Sequence, residues 1–276
     1  IRYSHEKDKF WDESEATRAY ERTALAGKVK HIEKNEVRVQ PPYPFDLTTL
    51  QVEAYRVFKM SPKEVLQLTQ NLYENSYISY PRTSSQQLPP SLELKGVLEK
   101  ISKIDAYSKE AKFLLTNNLT RPKNGSKSDP AHPAIHPTGI HGRMSEREHK
   151  LYDLIVRRFL ACFGEVAIKE STKVTLDMGG EKYIGRGIAV KKEGWIPLYG
   201  KYYSPDEEKI PLLESGQAFK AEGKYKEKKM TQPPKRYTAT SLVKALEKNN
   251  LGTKATRATI IAVSYTHLTL PTIYSV

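Results

Sequence analysis

A chain of 276 residues with 45 Lys+Arg against 32 Asp+Glu has a formal charge of +13 at pH 7. That balance points to a polyanionic partner, nucleic acid first and an anionic membrane surface second. Mean hydropathy of −0.62 and the lack of any apolar run able to span a bilayer exclude a transmembrane helix.

The opening "IRYSHEKDKF" lacks Met and the basic-then-apolar order of a signal peptide, so it reads as the interior of a longer protein. A short helical pattern surrounds Ala16–Leu25, and the alternation in "GKVKHIEKNEVRVQ" suits a hairpin. "PPYPF" marks a boundary, because successive prolines continue neither helix nor strand. "DLTTLQVEAYRVFKM" then reads as a helix, and "SPKEVLQLTQNLYENS" as a second one ending near Asn75. Ser61 is its N-cap, Pro62 its first helical residue, and Glu64 completes a capping box. Val65, Leu68, Thr69 and Leu72 share one face, with Tyr73 at the core edge.

Residues 91–119 read as helical, and "TRPKNGSKSDP" (120–130) as a polar loop. A second capping box, Ser145 with Glu148, opens a helix through about Phe163. The only cysteine, Cys162, lies on that helix's apolar face and reads as a small core residue. It permits neither an internal disulfide nor a cysteine-built zinc site, and makes a reducing cytoplasm the default. From Ile168 the period switches to two. "STKVTLDM" and "KYIGRGIAV" flank Gly179-Gly180 as a hairpin, with β-type segments to about Lys226. The run "KAEGKYKEKK" (220–229) reads as a solvated edge strand. "PPKRYTATSLVKALEKNNLGTKATRATIIA" returns to helix. The uncharged close, "VSYTHLTLPTIYSV" (263–276), resembles translated sequencing-adapter read-through and stands outside the functional reading. The order predicts an α+β fold, with a helical domain at 41–167 inserted between β-rich parts at 1–40 and 168–228, and further helices at 229–262.

The stretch "ENSYISYPRTSSQQLPP" sets Tyr80 and Arg82 either side of Pro81. A residue before proline is pushed toward extended backbone, where i and i+2 point the same way. Both side chains then face one phosphate. Neighbouring positive charge favours the phenolate, and Arg binds phosphate oxygens bidentately. A strand ending in a turn accounts for the same residues, and Tyr-X-Arg is unremarkable among 17 tyrosines. His132, His136 and His141 invite a metal reading. His132 and His136 each precede a proline, which disfavours a shared helical face, so no metal is assigned to them. In "LGTKATRATIIA", Gly252 can end one helix in the left-handed region, and Thr253 or Thr256 can cap the next. Free N–H groups there, with Lys254 and Arg257, make an anion site, although a plain cap fits equally.

"LYENSYISYPRTSSQQLP" resembles the active-site segment of type IA DNA topoisomerases, particularly archaeal and topoisomerase III-like members. "PPYPFDLTTLQVEAYRVF", "AHPAIHPTG" and "PPKRYTATSLVKALEKNNLGTKATRATII" are similar to further family blocks, in the family's order from about residues 41 to 261. The resemblance implies that Tyr80 attacks one DNA strand to give a 5′-phosphotyrosyl link. Arg82 would orient the scissile phosphate, with His132 close by. It further implies that Gln70 lies along the DNA path and that Thr256, Lys254 and Arg257 contact DNA phosphates. The β-rich parts would be the family's arch, 41–167 its tyrosine domain, and 229–262 the start of its DNA-binding domain. Single-stranded DNA is the implied partner. Mg2+ is the implied cofactor, held by an acidic Toprim domain upstream of this sequence and not by its own residues. Without that domain, only weak single-strand binding and no relaxation are expected. Reverse gyrase and a non-catalytic single-strand-binding module are the alternatives. The latter would stack bases on aromatics and track phosphates with lysines.

Overall fold

The computed structural model describes residues 2–204, 208, 210–211 and 213–267, the last four by backbone only. The fold is α+β and divides into two units. The first takes residues 1–39, 166–193 and 204–234; the second takes 40–165, 194–203 and 235–276.

Among the described residues the first unit is an antiparallel sheet with one helix. Its elements are β1 (Ser4–His5), α1 (Glu13–Arg22), β2 (Ala26–Val39), β3 (Ala167–Met178), β4 (Glu181–Lys192) and β5 (Ala218–Lys220), in sheet order β1-β4-β3-β2-β5. The expected hairpin within "GKVKHIEKNEVRVQ" is instead the single long strand β2. It pairs with β3 from Lys28↔Asp177 to Val39↔Ala167, so its alternation runs unbroken by a turn. The β3–β4 hairpin forms as expected, because Gly179 (φ +76°) and Gly180 (φ +89°) take the left-handed conformations that a tight two-residue turn needs. Val29, Val174, Leu176 and Met178 form the core of this unit. Each such side chain contributes roughly 1.5–3 kcal/mol on burial. The Lys-rich run expected as an edge strand contributes only Lys220 to the three-residue strand β5. Beyond it charges fall without an apolar face, and Lys224 Nζ bonds the carbonyls of Tyr20 (2.6 Å) and Thr23 (2.7 Å) instead.

The second unit is helical: α2 (Leu47–Phe58), α3 (Pro62–Glu74), α4 (Leu94–Ile101), α5 (Asp105–Thr116), α6 (Glu146–Ala161), the single turn α7 (Ile196–Tyr199), α8 (Ala239–Lys248) and α9 (Arg257–His267). The central element is α6, whose Leu151, Leu154, Ile155, Val156, Phe159 and Leu160 are all buried. It opens with the expected capping box: Glu148 N–H donates to Ser145 Oγ (3.3 Å), and Ser145 N–H to Glu148 Oε2 (2.8 Å). The box expected at α3 forms on one side only. Ser61 Oγ accepts from Glu64 N–H at 3.2 Å, but the Glu64 carboxylate turns to Arg147. Tyr73, expected at the core edge, is exposed. Cys162 is buried as expected, and burial pushes its thiol up to about 12. The expected left-handed helix end at Gly252 falls on Asn250 (φ +55°), two residues past α8; Gly252 (φ +64°) shapes the turn into α9. Of the stretch 263–276, residues 268–276 lie outside the described residues.

Candidate active site

Residues 76–88 leave the end of α3 and run without helix along the histidine-bearing segment 129–137. The two are stitched by polar bonds. Ser79 N–H donates to His136 O (2.9 Å) and His136 N–H to Ser79 Oγ (3.0 Å). Thr83 Oγ1 donates to His132 O (3.2 Å), and Ala134 N–H to Gln87 O (2.9 Å). Leu47 N–H, at the start of α2, donates to Thr83 O (3.0 Å). Extended backbone cannot satisfy its own amides, so these partners fix the path of the tyrosine segment.

On this frame Tyr80 is half-buried between two rings. Tyr73 meets it edge to face at 5.4 Å, and the His132 ring lies 4.4 Å away, tilted by 43°. Tyr80 and Arg82 line one cleft of about 550 Å³, together with Ser84, Thr253, Lys254 and Arg257. The i, i+2 expectation is met: Pro81 is buried while the residues on either side face the cleft. Arg82 Nε is buried and has no hydrogen-bond acceptor among the described residues. A guanidinium N–H left so is costly unless an acceptor arrives.

The far wall comes from the turn before α9. Thr253 N–H donates to Thr256 Oγ1 (2.8 Å) and Thr256 N–H to Thr253 Oγ1 (3.3 Å), so the two threonines cap the turn reciprocally. Thr253 lines the cleft and Thr256 does not. Lys254 Nζ is held by the Asp129 carboxylate, while Arg257 bonds Leu251 O (2.9 Å) and Gly252 O (3.1 Å). Gln70 sits on α3 outside the cleft lining. Its Nε2 donates to Glu74 (2.9 Å), and its buried Oε1 has no partner among the described residues. His136 is buried; burial lowers its pKa, and its Nδ1 lies 2.8 Å from Ala134 O.

Acidic groups also border the cleft. Asp46, almost wholly buried, caps α2 through Thr49 N–H (2.7 Å) and meets Gln86 Nε2 (3.0 Å) and Lys127 Nζ (3.3 Å). Lys127 also reaches Glu247 at 2.8 Å. Ser84 and Asp129 escaped the sequence reading, since short polar residues in loops carry no periodic signal; Thr253 was legible only as a candidate cap, which it is.

A family model described as DNA topoisomerase matches residues 2–267. The chain belongs to the type IA DNA topoisomerase family. It is 48% identical over 263 residues to the DNA topoisomerase 1 of Methanocaldococcus jannaschii, covering 93% of this chain and 34% of that protein. Against the DNA topoisomerase 1 of Pyrococcus horikoshii it is 43% identical over 266 residues, covering 95% and 39%. Human DNA topoisomerase 3-alpha is 33% identical over 243 residues, covering 85% and 24%. The family member thus spans between a third and two fifths of those archaeal relatives. Its fold is similar to that of full-length topoisomerase I from Thermotoga maritima, with a TM-score of 0.70, 25% identity, and coverage of 95% of this chain and 44% of that one.

Proposed function

We propose that the chain is the tyrosine-bearing gate part of an enzyme that cuts and reseals one DNA strand. One observation supports this above the others: Tyr80 and Arg82 face the same cleft, with the Arg82 Nε lacking an acceptor among the described residues. In the cleavage step Tyr80 Oη bonds to the scissile phosphorus as the P–O3′ bond breaks. The 3′ oxygen leaves as a hydroxyl once protonated, and the 5′ phosphate remains on Tyr80. The phosphotyrosyl ester conserves the bond, so attack by the 3′ hydroxyl reverses the step after another strand has passed. Arg82 orients the phosphate and stabilises charge developing on its oxygens. His132 is read as exchanging a proton or holding a phosphate oxygen, a role its contact with the Tyr80 ring supports.

Gln70, Lys254, Thr256 and Arg257 are proposed DNA contacts, and single-stranded DNA the preferred substrate. Lys254 and Arg257 line the cleft, which supports their part of the reading. The first unit is read as the arch and the second as the tyrosine domain with the first DNA-binding helices. The family depends on Mg2+ through its Toprim domain. Among the described residues no group of His, Cys, Asp and Glu is arranged to hold a metal ion. Asp46, Glu247 and Asp129 are each engaged by a lysine, so they do not fit a magnesium site, and no step is assigned to one.

The test is a denaturation-trapped DNA adduct, made with this chain completed by the remaining sequence of an archaeal relative. An adduct is expected with Tyr80 and none with Tyr80→Phe. An adduct that persists in the variant overturns the assignment. Salt-sensitive DNA binding without any adduct points to a binding module instead.

A further inference from the structure

The carboxylate of Asp129 gathers three separate segments at the cleft. Its Oδ1 accepts from Ala131 N–H at 3.1 Å. Its Oδ2 accepts from Ser84 N–H (3.4 Å), from Ser84 Oγ (3.3 Å) and from Lys254 Nζ. Ala131 adjoins His132, Ser84 is two residues past Arg82, and Lys254 stands on the opposite wall. The side chain is only 7% exposed, so these donors replace water almost entirely.

We propose that Asp129 is the positioning residue of the cleavage site, one carboxylate that sets the histidine loop, the tyrosine segment and Lys254 around a single phosphate position. The proposal rests on the strand-cleavage reading above. Only an ionised carboxylate suits the place. Two oxygens meet four donors, and Oδ2 faces a hydroxyl, an amide N–H and an ammonium together. Asparagine has the same shape but can offer Oδ1 alone, turning an NH2 toward those donors. Charge points the same way. Asp129 neutralises Lys254 in part, so the cation is held in place and its general attraction for DNA is reduced. Removing the carboxylate therefore separates affinity from chemistry.

The experiment compares Asp129→Asn with its parent in the completed protein, measuring adduct formation, single-strand affinity and thermal melting. Adduct formation is expected to fall roughly tenfold to a hundredfold, the cost of misplacing reacting groups by about an ångström. DNA affinity should be unchanged or tighter. In a Lys254→Met background the same substitution should cost less, because the ion pair is already severed. Adduct formation at the parent's rate overturns the proposal, and so does a loss of melting temperature and affinity in step with the adduct. Should Asp129→Asn not fold, Ser84→Ala removes one donor, and a several-fold loss of adduct at unchanged affinity is then expected; no loss overturns the proposal. A parent that gives no adduct overturns the cleavage reading itself, and this proposal with it.

Discussion

The His132 ring lies 4.4 Å from the Tyr80 ring, and its backbone carbonyl is tied to Thr83, three residues past the tyrosine. The histidine is therefore fixed to the tyrosine segment at two points. Replacing His132 with Ala should lower adduct formation by roughly 10²-fold, the usual size of a lost proton-transfer group. Single-strand affinity should change little. Quantified denaturing gels check this, and an undiminished adduct would remove His132 from the chemistry.

Arg82 lines the cleft with its Nε buried and without an acceptor among the described residues, and a guanidinium offers phosphate a planar fork where an ammonium is a point charge. Arg82→Lys preserves the charge but loses the fork. A fall of roughly 10²-fold in adduct formation is expected, comparable to removing one transition-state donor. Parent-like rates would mean that charge alone suffices.

Burial lowers the His136 pKa, so the folded protein keeps this ring neutral where an unfolded chain would protonate it. The unfolded value is about 6.5. Above that pH the contribution to stability is complete. As pH falls below it, the unfolded state takes up a proton that the folded state refuses, and stability declines until the folded pKa is passed. Denaturant midpoints measured from pH 7.5 to 5 should fall for the parent and fall less for His136→Asn, which can still donate to Ala134 O. Equal slopes would mean His136 does not govern this window.

Tyr202 Oη donates to the buried Asp153 carboxylate at 2.5 Å, and Lys201 Nζ reaches the same group at 2.8 Å. Burial and the adjacent carboxylate raise the Tyr202 pKa, so the phenol stays a donor. Tyr202→Phe should cost about 1.5–3 kcal/mol, the range for a bond to a charged group. Chemical unfolding measures it. Because the pair lies outside the cleft lining, adduct formation should persist below the unfolding midpoint.

Legibility in the sequence followed the length scale of each interaction. Local chemistry was readable. Ser145 with Glu148 closes its box within one turn, Gly179-Gly180 sets its hairpin, and Pro81 splays Tyr80 and Arg82 to one side. What failed depended on distant partners. Glu64 could equally have closed its own cap, but Arg147 lies within reach only once α3 and α6 pack. The alternation in β2 is the same in a hairpin as in one long strand, and only pairing with β3 decides between them. Asp129 was invisible for a related reason. Its donors come from residues 84, 131 and 254, far apart along the chain, and an aspartate before proline in a polar loop otherwise reads as a turn former.

Tyr73 and His132 clasp the Tyr80 ring from two sides. A severed strand end joined to that ring would hang from a stiff pivot rather than a swinging arm, because the ring already rests against two neighbours. Its partner end would then find it in the same place each time, and rejoining would need no search.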